Sequence, residues 1–112
     1  MLTPVQVVEN QLIAYNNHDI EAFCACFSDD VKVELLIEGE LLFEGMEAFR
    51  ATYAERFSNP GLHAKLINRI AQGRVVIDEE EVTGLPDFEV LYVVAIYEIE
   101  GGLIQKVRFE RV

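Results

Sequence analysis

A chain of 112 residues is the size of one compact domain, and its 51% hydrophobic content is enough to bury a core. Twenty Asp and Glu against nine Lys and Arg give a formal charge of -11, which repels phosphate backbones and anionic lipid, so neither nucleic acid nor a membrane surface is expected as a partner. No apolar run approaches the roughly 20 residues that span a bilayer, and the N-terminus lacks the basic and apolar regions of a signal peptide, so the expected location is cytoplasmic.

Thr3 is placed as an N-cap, Pro4 sits at the first helical position, and Gln6 stands where a capping-box side chain reaches back. Val5, Val8, Leu12 and Tyr15 recur at three- and four-residue steps with Gln11 beside them, which predicts one inward helical face ending at Asn16 and Asn17. Asp19 is set to cap a second helix over Ile20 to Phe27, with Ile20, Phe23, Cys24 and Phe27 as its buried stripe. Cys24 and Cys26, the only cysteines, fall on different sides of that helix, unlike a redox or zinc pair, and read as small hydrophobes in a reducing compartment.

The Val-, Leu- and Ile-rich segment Val31 to Ile37 predicts a strand, paired through a Glu38-Gly39-Glu40 turn with Leu41 to Phe43. Gly45 precedes a third helix in which Met46, Phe49, Tyr53 and Phe57 form a stripe, and Asn59-Pro60-Gly61 stops it. Four strands follow over Leu62 to Gln72, Arg74 to Thr83, Glu89 to Ile99 and Leu103 to Val112. The short links at Gly73, Gly84 to Asp87 and Gly101-Gly102 predict an antiparallel meander. The Glu89 to Ile99 strand is apolar on both faces, with Leu91, Val93, Ala95 and Tyr97 on one and Val90, Tyr92, Val94 and Ile96 on the other. One face therefore lines a cavity, and the other needs its own cover, which predicts a homodimer through the outer sheet face.

Tyr15-Asn16-Asn17-His18-Asp19, then Phe23, Phe27, Asp29-Asp30 and Phe43-Glu44-Gly45, resemble the SnoaL-like family of the nuclear transport factor 2-like superfamily. The likeness extends to Arg50 and Tyr53, Asn68-Arg69, Glu81-Val82-Thr83-Gly84 and Gly102-Leu103-Ile104, and so covers nearly the whole chain. It implies a single α+β domain with a cystatin-like cone: a curved antiparallel sheet wrapped around about three N-terminal helices, usually dimeric, with a small-molecule pocket at its open end. Members include steroid isomerases, polyketide cyclases and dehydratases, so fold alone does not decide chemistry. Set against ketosteroid isomerase, Gln11 stands where that enzyme has its oxyanion tyrosine and Leu35 where it has its base aspartate. The second aspartate's place falls near Val94 or Ala95. That constellation is not retained, and Tyr15, one turn after Gln11, is the hydroxyl left to reach the same pocket.

Other polar groups are candidates for the cavity. Carrying the alternation of Val75 and Ile77 forward puts Glu79 and Glu81 inside, with Arg69 on the preceding strand as a partner. An enclosed Glu81 is an acid or base candidate, and a structural ion pair or an exposed acidic edge is the competing reading. His18, in the turn beside Asp19, reads as a hydrogen-bonded structural histidine, whereas His63, at a strand start near the presumed mouth, is a candidate for the site. Tyr53 and Phe57 either line the pocket or fill the core. The histidine spacing makes no metal motif, and neither a glycine-rich phosphate loop nor a nucleophile elbow is present, so no metal or cofactor is expected. Two readings follow. One is an isomerase-, cyclase- or dehydratase-type enzyme on a small apolar or carbonyl-containing molecule, with Glu81 and Tyr15 as catalytic groups and Gln11, Leu35, Tyr53, Phe57, His63 and Arg69 as binding groups. The other is a non-catalytic ligand-binding or dimerisation module.

Overall fold

The computed structural model describes residues 1–111. Helix α1 (Pro4–Asn16) starts as expected, with Thr3 and Gln6 exchanging side-chain and backbone hydrogen bonds in a full capping box. Its inward stripe is Val7, Val8, Gln11, Leu12 and Ala14, while Val5, in the first turn, is exposed. The Asp19 carboxylate accepts from the Ala22 N–H and caps α2 (Ile20–Cys24).

Helix α2 is shorter than the apolar spacing suggests. Phe27 satisfies both a helical stripe with Phe23 and a strand, and the strand prevails because Phe27 pairs with Ile104. Strand β1 (Phe27–Leu35) therefore begins four residues before Val31 and turns through Gly39, at φ 69°, into β2 (Leu41–Glu44). Helix α3 (Met46–Phe57) follows Gly45, whose φ of 88° suits glycine. Phe49, Tyr53 and Phe57 are buried on one side of it. They meet Phe23 and Phe27 in an aromatic cluster, with centroids 4.4 Å apart for Phe27 and Phe49 and 4.7 Å for Phe49 and Tyr53.

Strands β3 (His63–Gln72), β4 (Val75–Thr83), β5 (Leu91–Glu100) and β6 (Leu103–Arg111) form the expected antiparallel meander. The six-stranded sheet has the order β2-β1-β6-β5-β4-β3, and its one parallel pair is β1 with β6. The long chain between those two strands leaves their relative direction free, unlike the tight links of the meander. The sheet curls around the helices, giving the α+β cone that the resemblance implies. Two clamps seat α1 on β3. The Asn16 side chain exchanges a pair of hydrogen bonds with the Ala64 backbone, and Arg69 reaches Glu9. No helix among the described residues is long and apolar enough to cross a membrane.

The candidate acid–base cavity

Inside the cone the apolar stripes of α1 and α3 do not fill the space against the inner sheet face, and a cavity of about 100 Å³ remains. Leu12, Phe23, Phe27, Val33, Val82, Val93 and Val107 make its wall largely apolar. Its polar groups are few: Gln11 and Tyr15 from α1, Tyr53 and Arg56 from α3, Glu80 from β4, Tyr97 from β5 and Arg111 from β6.

The inward residues of β4 are Val76, Asp78, Glu80 and Val82. This corrects the parity read from Val75 and Ile77, which are half-buried on the outer face, and it moves the interior carboxylates from Glu79 and Glu81 to Asp78 and Glu80. Arg69 is directly opposite Asp78 in the β3–β4 ladder and binds it through Nε and Nη2 at 2.6 and 2.9 Å. Arg69 thus pairs with Asp78 and Glu9 rather than Glu81, and it lies beneath α1, outside the cavity wall. Asp78 is fully buried, so the bidentate guanidinium is what supports its charge there.

Glu80 has a different environment. It is 7% exposed, lines the cavity, and among the described residues no side chain hydrogen-bonds its carboxyl. Burial pushes its pKa up to about 7, the nearby Asp78 charge pushes the same way, and Arg69 opposes both. Gln11 Nε2 donates to the Tyr97 hydroxyl at 3.4 Å, which leaves the Tyr97 proton free to be donated elsewhere. Burial raises the pKa of Tyr15, Tyr53 and Tyr97, so all three remain neutral hydrogen-bond donors at neutral pH. The positive charge of Arg56 opposes that rise at Tyr15 and Tyr53, whereas the negative charge of Glu80 adds to it at all three rings.

Of the side chains expected at the site, Gln11, Tyr15, Leu35 and Tyr53 line the cavity. Phe57 is buried against Tyr15 at 5.4 Å between centroids, on the core side of the wall. His63 is exposed at the start of β3, and Glu81 faces outward near Tyr92. The His18 ring Nε2 lies 2.7 Å from the Leu62 carbonyl, a structural bond in a turn with positive φ. Burial raises both cysteine thiols, in keeping with unreactive packing groups. Among the described residues no cluster of His, Cys, Asp and Glu is arranged to hold a metal. Sequence reasoning missed Glu80, Arg56, Tyr97 and Arg111.

The model of the SnoaL-like domain matches residues 8–107, and no curated protein matches the sequence. Among solved structures, a cystatin-fold protein from Novosphingobium aromaticivorans superposes with a TM-score of 0.89 and 28% identity, over 99% of this chain and 100% of its own. A candidate ketosteroid isomerase from Kribbella flavida gives 0.80 and 23%, over 95% and 75%. An LEH-like epoxide hydrolase from M. tuberculosis gives 0.78 and 19%, over 97% and 82%. The last two likenesses are of fold alone. With a family match running from within α1 to the middle of β6, the chain belongs to the SnoaL-like domain family.

Proposed function

We propose that the cavity holds a small, mostly apolar carbonyl compound and that Glu80 moves a proton to or from it. The observation that carries this reading is a buried carboxyl with no hydrogen-bond partner among the described residues and a free face on a largely apolar cavity, where burial pushes its pKa up to about 7. At neutral pH such a group is populated in both its acid and base forms, the condition under which general acid–base catalysis is most effective. The neutral hydroxyls of Tyr15, Tyr53 and Tyr97 supply donors to an oxygen that gains charge as a proton leaves the neighbouring carbon. Proton abstraction next to a carbonyl, followed by return of the proton elsewhere or loss of a leaving group, is the reaction class that these residues support. A volume below the roughly 300 Å³ at which typical ligand pockets begin favours a small substrate, or one end of a longer one.

A library of small ketones, enones and hydroxy-ketones, screened by ligand-induced thermal shift and then for turnover, tests the reading on wild type and Glu80→Gln. Hits that bind both proteins but turn over only with wild type, with a rate rising through about pH 7, support it. Equal turnover by Glu80→Gln would remove Glu80 from the chemistry.

The outer face of the sheet supports a second reading, a homodimer. Ile67, Ile70, Tyr92 and Val94 are exposed there beside half-buried Ile77 and Ile96, and these apolar side chains flank the outward carboxylates of Glu79 and Glu81 across β3, β4 and β5. The β1 and β6 side of the same face is charged, with Arg108 and Lys106 paired to Glu34 and Glu98. A second copy related by a two-fold axis would cover the apolar half with its own.

A further inference from the structure

The cavity's charge has the opposite sign to the molecule's. The chain carries a formal -11, and among the described residues six of its nine Lys and Arg side chains lie within 4.0 Å of a carboxylate. The other three are Lys65, Arg56 and Arg111, and two of these line the cavity. Arg56 is held with its guanidinium carbon 5.0 Å from the centre of the Tyr53 ring, and its N–H groups are near enough to the Tyr15 and Tyr53 hydroxyls to oppose the rise of both pKa values. Arg111 extends the inward alternation of Val107 and Phe109 on β6 and is exposed, opposite Val93. The charges that shift the Glu80 carboxyl are those of Asp78 and Arg69. Tyr15 and Tyr53 feel both Arg56 and Glu80, so the rings stand between a cationic end and the proton-exchanging end.

We infer that the ligand is a small apolar carboxylate, whose anionic group is bound by Arg56 and Arg111 while its body reaches across the tyrosines toward Glu80. Guanidinium groups match a carboxylate in geometry as well as charge, and bonds between the two are stronger than those between neutral groups. This inference rests on the pocket reading above and adds the ligand's chemical class to it.

The test is a set of titrations at about pH 6, where Glu80 is mostly protonated, followed by heteronuclear NMR. The probes are benzoate, phenylacetate and hexanoate, each beside its uncharged primary amide. At least one acid is expected to bind about 10- to 100-fold tighter than its amide, the factor that one charged hydrogen-bonding group provides. Arg56→Gln and Arg111→Gln should each reduce that preference, and Lys65→Gln, which alters a cation off the cavity wall, should leave it intact. Equal binding of acids and amides, a preference that survives both arginine substitutions, or no binding by any acid would overturn the inference. Amide binding with shifts at Glu80 but no preference for acids would sink it while leaving the proton-transfer reading standing. A clear acid preference with Glu80 titrating as an ordinary carboxylate would do the reverse.

Discussion

Glu80 and Asp78 are two residues apart on one strand and face the same way, yet their surroundings differ. Asp78 is met by a forked guanidinium, whereas Glu80 meets apolar side chains and a cavity. A rise of the Glu80 pKa from 4.5 to about 7 means that its ionised form costs the fold about 3 kcal/mol relative to the unfolded chain. The sign follows from proton binding. Between about pH 4.5 and 7 the folded state holds a proton that the unfolded state has lost, so stability falls as pH rises through that window. Denaturant unfolding of wild type and Glu80→Gln across the window should therefore show wild type losing ground to the variant by up to about 3 kcal/mol. Parallel curves would mean that Glu80 is not desolvated. Asp78→Asn provides a second check on the same carboxyl. Removing the negative neighbour, with Arg69 still present, should lower the Glu80 pKa in an NMR titration, and an unchanged value would show that Asp78 does not act on it.

At the scale of elements, helix starts and the meander were legible because their signals are local. Thr3-Pro4 with Gln6, Asp19, and the glycine links each specify a cap or turn without reference to the rest of the chain. The face of β4 was not legible from alternation, since Val75 and Ile77 are as apolar as Val76 and Val82 and both sides of the strand are partly covered. A usable signal was present in the hairpin: a Gly73-Arg74 turn pairs Gln72 with Val75 and hence Arg69 with Asp78, which puts Asp78 and Glu80 on the face that Arg69 shares. Gln11, Tyr15 and Tyr53 could be placed because helix spacing is unambiguous, while Arg56 stands in the last turn of α3, where a cation needs no cavity to account for it. After β4, Gly84 has φ 85°, and a Cβ there would lie 2.2 Å from the Gly61 carbonyl oxygen. This backbone contact ties the loop before β3 to the end of β4 and positions Leu85 on the cavity wall. Gly84→Ala should cost about 1–3 kcal/mol in equilibrium unfolding and perturb ligand binding as well. A neutral effect on both would show that the contact relaxes freely.

At the scale of the whole molecule, net charge and apolar surface pull in opposite directions. Two copies that each carry -11 repel at long range, whereas the field of Ile67, Ile70, Tyr92 and Val94 gains from being removed from water. Screening weakens only the first effect: the Debye length falls from about 30 Å at 0.01 M salt to about 8 Å at 0.15 M, while burial of apolar area hardly changes. The proposed homodimer should therefore tighten as salt is added over that range, and sedimentation equilibrium would measure it. Tyr92→Glu adds a carboxylate opposite Glu81 among these apolar residues and should shift the equilibrium to monomer, while altering no residue of the cavity on the opposite face of the sheet. An association that weakens with salt would point instead to the charged β1 and β6 half as the contact. A monomer at every salt concentration would mean that the apolar field serves another purpose. Because β5 presents Val93 and Tyr97 to the cavity and Tyr92 and Val94 to the outside, covering its outer face would also stiffen the wall on which Tyr97 stands. Loss of the dimer should accordingly loosen ligand binding in Tyr92→Glu even though no residue of the cavity has been altered.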